Sequence, residues 1–543
     1  MASCTCSRSR TASSRSSPHD PRADGRGRAV RLTGTGHAGM RIDTPAGSIL
    51  CDPWVNPAYF ASWLPFPDNS QLDWDRLGDT DYLYVSHLHR DHFDPELLRR
   101  SVSKRATVLL PDFPSSELED ELRAVGFTSF LQTRNNEPTP VGGGLTVMIQ
   151  ALTSPTDGPL GDSSLWVEHD GVRVLNQNDA RPADLAQFMR LGHVHAHMLQ
   201  FSGAIWYPMV YELPAAEKAR LGRQKRARQI DRTIRYIDDL KASWVFPVAG
   251  PPCFLDDELW HLNDLDGDQT NIFLDQYEFI DQYHSRGHAN GQILLPGGVA
   301  DVTRDDCRVR QPVDDVRTFL RHRDDYLRAY RDRRRPVIAA EKASWRHPEI
   351  DVFEQIKRRF EPLLRASVHL AVCMGTVLLE LVGDCGEPTE QILIDGPAGR
   401  VRRHDGGEFD HRFVIRRTLV EHLLHVGEID WVNSLFLSCR FSATRRGLYN
   451  DAVFTFFKCL SEDRLRRAEA WCTGREPDTE DIVLDGWVVQ RRCPHQYADL
   501  GRFGAVDGNV LTCQMHGWQF DLDTGLCLTS GRHEIRSRRL DLD

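Results

Sequence analysis

The stretch 86–94, SHLHRDHFD, follows directly on segment 81–85, DYLYV, whose aromatic and branched residues predict a strand. Four potential metal ligands fall within six residues, on a turn that leaves this strand. Because a strand end is rigid, side chains there can converge on a metal ion with little conformational entropy left to lose. A turn carrying surface histidines is the alternative. We therefore predict a metal site that includes His87, His89, Asp91 and His92.

The residues around this stretch predict a layered α/β body. Strand-like apolar runs lie at 38–43, 47–51, 81–86, 106–110, 145–152, 164–178 and 243–249, and helix-like segments at 94–103 and 115–125. Such alternation is typical of sheets covered by helices. The basic segment 213–241 predicts a long helix, whose simplest interpretation is a solvated face.

Composition excludes several classes of function. The 543 residues carry a net charge of -11, which argues against a nucleic-acid partner. The most apolar run, 369–383, is too short to span a membrane and contains Glu380, so no membrane span is expected. Residues 1–28 are rich in Ser and Arg and predict a disordered tail or a mis-assigned start. The 13 scattered cysteines favour a reducing, cytoplasmic setting.

Changes in texture along the chain divide it into five parts. We expect a disordered tail at 1–28, a catalytic domain at 29–312 and a charged helical connector at 313–365. An α+β accessory domain should follow at 366–470, with strand-like runs at 369–383 and 387–401. Residues 471–543 are short strands and turns around a Cys/His pattern and form the last, all-β domain.

That last pattern is Cys493-Pro-His495, followed after 17 residues by Cys513-Gln-Met-His516. Each loop supplies one Cys and one His, which fits a Rieske [2Fe–2S] cluster, with two thiolates on one iron and two imidazoles on the other. The alternative is zinc, but zinc modules usually pair two Cys in one loop and two His in another. We expect Cys493, His495, Cys513 and His516 to hold a cluster that passes single electrons.

The N-terminal motif, His-x-His-x-Asp-His, resembles that of the metallo-β-lactamase superfamily. Further matches are 36–38 (GHA), 49–54 (ILCDPW) and 175–179 (LNQND). The resemblance implies an αββα sandwich in which His87 and His89 serve one metal, Asp91 and His92 serve a second, and Asp179 bridges the two.

Two departures from that family bear on the metal. No histidine occurs at 152–158 or 247–253, where the family has one, and Asp157 and Asp162 are the candidate substitutes. Oxygen-rich ligation with open positions suits iron better than zinc, so we expect one or two non-haem irons. His193, His195 and His197 alternate along one strand, and imidazoles bonded within the core are the favoured interpretation.

An iron site and an electron-transfer cluster in one chain indicate an oxygenase, because a hydrolase needs no electrons. Segments 161–165, 176–182, 200–208 and 249–254 resemble the CMP-N-acetylneuraminate hydroxylase group, which joins these two domains. That resemblance implies O2-dependent hydroxylation of an N-acetyl methyl. The C-terminal position of the Rieske domain resembles the UDP-N-acetylmuramate hydroxylases. That resemblance implies a nucleotide-sugar substrate, UDP-N-acetylmuramate, which would be converted to UDP-N-glycolylmuramate. The unit at 366–470 resembles a sterol-carrier-like fold, with a plain spacer as the alternative.

Candidate substrate contacts follow from the same segments: Gln200, Trp206, Tyr207 and Arg181, the last as a donor to a diphosphate. The sequence has no dinucleotide or flavin motif, so electrons from NAD(P)H should arrive through a separate reductase or ferredoxin. Alternative functions are an oxygenase acting on another metabolite, a hydrolase with a redox-sensing Rieske module, and a pure electron-transfer protein. The sequence leaves open whether the protein forms a homo-oligomer. It also leaves open whether the cluster serves the iron of its own chain or that of a neighbouring subunit.

Overall fold

The computed structural model of the protein describes residues 29–153, 161–264, 270–474 and 478–540. The predicted tail at 1–28 and Asp157 lie outside the described residues.

Strands and helices alternate through residues 30–310, as the sequence predicts. The strands are β1 (Val30–Gly36), β2 (Gly39–Thr44), β3 (Gly47–Cys51), β4 (Leu64–Pro65), β5 (Tyr82–Tyr84), β6 (Thr107–Leu110), β7 (Phe130–Gln132), β8 (Thr139–Gly142), β9 (Leu145–Ala151), β10 (Ser163–His169), β11 (Val172–Asn178), β12 (Ala196–Gln200), β13 (Trp244–Val248), β14 (Pro252–Cys253), β15 (Val299–Val302) and β16 (Cys307–Arg310). The helices are α1 (Trp74–Gly78), α2 (Pro95–Ser101), α3 (Glu117–Ala124), α4 (Ala186–Met189), α5 (Ala215–Leu240) and α6 (Gln276–Ser285).

Two large mixed sheets pack face to face. Their strand orders are β16-β15-β1-β2-β3-β5-β6-β7 and β13-β12-β11-β10-β9-β8. Apolar residues from both sheets, such as Ile42 and Phe246, fill the space between them. Helices α2 and α3 cover the outer face of the first sheet, and α5 covers that of the second. The αββα sandwich implied by the metallo-β-lactamase resemblance is therefore confirmed.

Helices dominate the next part of the chain. The first four are α7 (Val316–Arg321), α8 (Arg323–Ser344), α9 (Val352–Ala366) and α10 (Val368–Met374). Four strands follow, and then come α11 (Arg417–Val426), α12 (Asp451–Lys458) and α13 (Glu462–Thr473). The strands are β17 (Thr376–Val382), β18 (Pro388–Asp395), β19 (Arg400–Arg403), β20 (His411–Arg416) and β21 (Phe441–Arg445), ordered β19-β18-β17-β20-β21. Helix α9 packs on β19, inside the predicted connector, and α13 crosses the predicted boundary at residue 470.

One local prediction in this part was wrong. The run 369–383 was expected to be a strand throughout, but its first half is helix α10. Gly375, at φ 73°, ends the helix, and only then does β17 begin. A short apolar run does not distinguish a buried helix from a buried strand, and the glycine makes the abrupt change possible.

The C-terminal part contains two three-stranded sheets. Its strands are β22 (Asp481–Leu484), β23 (Trp487–Gln490), β24 (Gly504–Asp507), β25 (Val510–Cys513), β26 (Trp518–Asp521) and β27 (Ser537–Arg539), with the short helix α14 (Leu500–Phe503). The sheets are ordered β22-β23-β27 and β24-β25-β26. One Cys/His loop follows β23, and the other joins β25 to β26.

Helix α5 corrects the expectation of a solvated basic face. Arg232 and Arg235 donate hydrogen bonds to the carbonyl oxygens of Met515 and Arg502, in the C-terminal domain. The hydroxyl of Tyr236 donates to the carbonyl oxygen of Pro182 at 2.7 Å and lies 3.2 Å from the sulfur of Met515. Apolar residues of α5 and of the C-terminal domain share one core. The helix therefore joins two domains.

Within the described residues, none of the helices combines the length and the apolar character that a membrane crossing requires.

Candidate metal centres and the cavity between them

Three strand ends bring the predicted metal ligands together. His87 to His92 follow β5, Asp179 follows β11, and His37 follows β1. Their ligand atoms fall into two groups, each with all members within 4.8 Å of one another: His87, His89 and Asp179, and His37, Asp91 and His92. Each group thus offers two imidazoles and one carboxylate.

His37 is the ligand candidate that the sequence analysis did not select. Its Nε2 atom lies 2.9 Å from Oδ2 of Asp91, and its ring is buried beside Trp54. The residue has a left-handed backbone, φ 53°, in the turn between β1 and β2, which directs the ring into the site. The Gly36-His37 pair was the available signal, and it was used only to support the family resemblance.

Hydrogen bonds behind the ligands fix their orientation. Asp52, fully buried, accepts from the backbone and hydroxyl of Ser86 at 2.7 and 2.8 Å and lies 3.1 Å from Nδ1 of His92. The Tyr59 hydroxyl donates to Oδ1 of Asp91. Because Asp52 engages Nδ1 of His92, the Nε2 atom is the one left to face the site.

The electrostatics of the site favour a bound cation. Burial lowers the pKa of His87 well below its usual value, and the neighbouring His92 lowers it further. Burial opposes the charged form of His92 too, but Asp179 and Asp91 prevail and raise its pKa well above the usual range. A metal ion placed among these carboxylates would supply the positive charge that a protonated imidazole otherwise supplies.

The buried polar atoms of the site also fit a metal. Nε2 of His92, Oδ1 of Asp179 and Nδ1 of His37 have no hydrogen-bond partner among the described residues. Oδ1 of Asp179 lies 3.6 Å from Nε2 of His92, so this carboxylate reaches both ligand groups. Two histidines and one carboxylate with open positions form the donor set of non-haem Fe(II) oxygenases. The donor chemistry therefore suits iron, with room for two ions.

The two departures from the metallo-β-lactamase pattern have different outcomes in the structure. Oδ1 of Asp162 lies 3.6 Å from Nε2 of His87, at the edge of the site. In segment 247–253, Cys253 instead contacts the carbonyl oxygens of Leu64 and Pro65. His197, in β12, is buried and lies 2.9 Å from Oε1 of Gln177, as the bonded interpretation predicts. His193 and His195 precede that strand, and His193 is exposed, so the prediction of one shared strand face was wrong for them.

The C-terminal loops bring their Cys and His residues together as the motif predicts. Cys493 and Cys513 are fully buried, and each thiol influences the pKa of the other, which indicates that they are neighbours. The rings of His495 and His516 lie 4.9 Å apart, and His495 stacks on Trp518 at 4.0 Å. Nδ1 of His516 has no hydrogen-bond partner among the described residues. Two thiols beside two imidazoles suit a Rieske cluster.

One cavity of about 490 Å³ connects the two sites. His89, Asp91 and Asp179 line it on one side, and His516 lines it on the other. The accessory domain adds Val432, Asn433, Leu437, Lys458 and Trp471 to the cavity wall. The cluster loop and the metal ligands of a single chain therefore face the same space.

The four predicted substrate residues have different positions. Arg181 and Trp206 line the cavity. Gln200 is buried and accepts a hydrogen bond from Nη2 of Arg181 at 2.9 Å, so it orients that guanidinium. Tyr207 is not part of the lining; its ring lies against Lys225 and Arg445, at 5.4 Å from each cation.

Family comparisons agree with the two C-terminal domains. The chain matches the Rieske [2Fe-2S] domain over residues 480–535. It matches the family described as "Rv3818-like, SCP2-like domain" over residues 352–474, which confirms the sterol-carrier-like expectation for the accessory domain. This second match begins inside the segment that was predicted to be a helical connector.

Solved structures with low similarity include Igni18, described as a metallo hydrolase from Ignicoccus hospitalis, with 18% identity, a TM-score of 0.35 and coverage of 52% of this chain and 99% of that one. Another is CmlA, described as a diiron β-hydroxylase from Streptomyces venezuelae, with 18% identity, a TM-score of 0.32 and coverage of 52% and 54%. At these scores, the fold assignment rests on the sheet order given above.

Relatives of known sequence fall into two groups. Cytidine monophosphate-N-acetylneuraminic acid hydroxylase of Pan troglodytes is 28% identical over 240 residues, which are 41% of this chain and 38% of that protein. A protein of Mycolicibacterium smegmatis and Rv3818 of Mycobacterium tuberculosis, both named for a Rieske 2Fe-2S iron-sulfur protein, are 49% and 48% identical over 520 residues, 94% of this chain and their full length. The chain belongs to this family of Rv3818-like Rieske iron-sulfur proteins.

Proposed function

We propose that the protein is an O2-dependent monooxygenase that hydroxylates the N-acetyl methyl of a nucleotide sugar, converting UDP-N-acetylmuramate to UDP-N-glycolylmuramate. The observation that carries this proposal is the cavity lined both by the candidate iron ligands and by His516 of the Rieske domain. A hydrolase has no use for an electron carrier in the wall of its active site. An oxygenase needs both in one place.

The residues divide the work between two centres. His87, His89, His37, Asp91, His92 and Asp179 would hold one or two irons, and Cys493, His495, Cys513 and His516 would hold the [2Fe–2S] cluster. Bound iron would supply O2 activation, and the cluster would supply single electrons. The overall balance is substrate, O2, two electrons and two protons giving the hydroxymethyl product and water.

The chain's own side chains would prepare the site for that reaction. Gln200 holds Arg181 in the cavity wall, where the guanidinium can accept an anionic part of the substrate. Trp206 and Ile205 give the cavity an apolar wall that keeps water away from the methyl group. The Tyr59 hydroxyl fixes Asp91 and so keeps one ligand group in register.

Electrons would originate from NAD(P)H and reach the cluster through a separate ferredoxin or reductase. The match to the Rieske domain over residues 480–535 supports a cluster that passes single electrons and so needs an electron donor. We propose a reducing, cytoplasmic setting for this exchange, in keeping with the described cysteines, none of which is joined in a disulfide.

The test uses purified protein reconstituted with iron and sulfide, reduced by dithionite or by a ferredoxin system. With UDP-N-acetylmuramate and labelled ¹⁸O2, we expect a product that carries one ¹⁸O in its acyl group, detected by mass spectrometry. The Cys513→Ser variant should give no product. Reduced wild-type protein that consumes no substrate under O2 would contradict the proposal.

The remaining alternatives give different results in the same assay. An oxygenase of another metabolite would leave this substrate intact but hydroxylate a different amide in a substrate screen. A hydrolase with a redox-sensing module would turn over without O2 and would work with zinc in place of iron. A pure electron-transfer protein would form no hydroxylated product, and its rate of electron transfer would be the same in His89→Ala and the wild type.

A further inference from the structure

Five cations meet where α5, the second Rieske loop and β21 come together: Arg181, Lys225, Arg228, Arg232 and Arg445, which we term the cationic cluster. Lys225 and Arg445 both lie against the ring of Tyr207, each at 5.4 Å from its centre. Nη1 of Arg232 donates to the carbonyl oxygen of Met515 at 3.2 Å. Arg181 is the member that lines the cavity.

Among the described residues, the cationic cluster forms no direct ion pairs, and Asp179 acts on Arg232 only through space. The ion pairs around α5 use other positions: Arg220 with Glu217, Arg226 with Asp264, and Asp239 with Arg502. In the described part of the chain, no carboxylate forms an ion pair with a member of the cluster. Mutual repulsion of this kind is costly in a partly buried place, and it persists in proteins where an anion is bound.

Individual atoms show the same imbalance. Arg232 is only 7% exposed, yet its Nη2 atom has no hydrogen-bond partner among the described residues, and neither has Nε of Arg181. Burial, together with the charges of Arg228, Arg181, Arg232 and Arg445, lowers the pKa of Lys225 to about 7. Buried guanidinium donors are normally satisfied, so these call for an acceptor with several oxygens.

We propose that the cationic cluster is a phosphate-binding subsite that takes the diphosphate of a nucleotide-linked substrate. The inference rests on the proposed function for its choice of ligand, and it adds Lys225, Arg228, Arg232 and Arg445 to the substrate-binding residues. Arg181 lines the cavity that also holds the metal ligands, so an anion bound by it and the rest of the cluster would keep the attached molecule near those ligands. A phosphate-free amide would lack this anchor.

Calorimetric titration of the reconstituted protein with inorganic diphosphate tests the subsite without turnover. We expect saturable binding that weakens about tenfold or more in Lys225→Gln and in Arg445→Gln, since each removes a charge-assisted contact. Lys225→Arg should restore most of the affinity. The matched control is Arg220→Gln, on the same helix but exposed and paired with Glu217, which should bind like the wild type.

Rieske EPR and the melting temperature of each variant show that it remains folded with an intact cluster. Titration with sulfate at equal ionic strength separates a built subsite from general attraction of anions. Equal binding of sulfate and diphosphate, or equal binding by Lys225→Gln and the wild type, would overturn the proposal. Diphosphate binding without hydroxylation would leave the subsite standing and reject the proposed reaction, whereas hydroxylation without diphosphate binding would do the reverse.

Discussion

At the scale of single residues, the metal site depends on side chains that are far apart in the sequence. His87, His89, Asp91 and His92 lie within one turn, so their convergence is a local property that the sequence reveals. Asp179 was reached through a family resemblance. His37 was not selected, because its approach to Asp91 depends on the pairing of β1 with β2 and on a left-handed backbone. The Gly36-His37 pair marks the residue in the sequence but does not show that it approaches Asp91.

His37 gives a prediction for the metal content. Replacing it by alanine leaves Asp91 and His92 with one ligand fewer, so we expect His37→Ala to lose about one iron per chain. The Rieske EPR signal should be unchanged, because the cluster ligands lie in another domain. Iron analysis by mass spectrometry measures the loss. His193→Ala is the control, since His193 is exposed and contacts Ser243 outside the site. Full iron content in His37→Ala would remove this residue from the ligand set.

His197 gives a prediction for acid stability. Burial lowers the pKa of His197 from 6.5 to about 3, so the folded protein keeps the ring neutral. The unfolded chain binds a proton below pH 6.5, and stability is therefore lost as the pH falls from 6.5 toward 3. Between pH 7 and 5 this residue alone should cost about 2 kcal/mol. Urea unfolding at both pH values should show a loss smaller by that amount in His197→Gln, whereas an unchanged loss would contradict the assignment.

At the scale of elements, Asp94 connects the ligand turn to its surroundings. Its carboxylate caps α2 by accepting from the backbone of Leu97, and it accepts from the backbone N–H groups of Val55 and Asn56. Asp94→Ala would leave these donors without an acceptor, and we expect unfolding free energy to fall by about 2 kcal/mol. Thermal and urea unfolding measure the change.

Ser116 provides the comparison for this prediction. It occupies the N-cap of α3, but its hydroxyl accepts from no backbone N–H of that helix and donates instead to the exposed carboxylate of Asp120 at 2.8 Å. Ser116→Ala should therefore change the unfolding free energy much less than Asp94→Ala. Equal effects of the two substitutions would show that the network around Asp94 contributes little.

Sequence periodicity predicts where most strands and helices of the sandwich lie, but not which other elements they pack against. The amphipathic basic pattern of 213–241 predicted helix α5 nearly to its ends, whereas its face was expected to be solvated. In a sequence, a basic helix that packs on another domain looks the same as a basic helix exposed to solvent. Only the structure shows that Arg232 and Arg235 contact carbonyl oxygens of the Rieske domain, because those contacts join residues more than 250 positions apart.

At the scale of the whole molecule, both centres of one chain face the same cavity. Electron transfer between them should therefore occur within a chain. We predict that mixing Cys513→Ser protein, which lacks the cluster, with His89→Ala protein, which lacks an iron ligand, will not restore hydroxylation. Product formation by the mixture, compared with wild type at the same total concentration, is the measurement. Substantial recovery would place the working pair of centres on two subunits.

The kinked turn that carries Val432, Asn433 and Leu437 belongs to the sterol-carrier-like domain, which contributes no candidate ligand to either centre among the described residues, yet it forms part of the cavity wall. Mutations can therefore accumulate in that turn without disturbing metal or cluster chemistry. Relatives could acquire new substrates by drift in this domain alone, while the oxidising machinery stays constant. Relatives with different substrates should then differ in the cavity-lining turn of the sterol-carrier-like domain rather than in the histidine-rich loop.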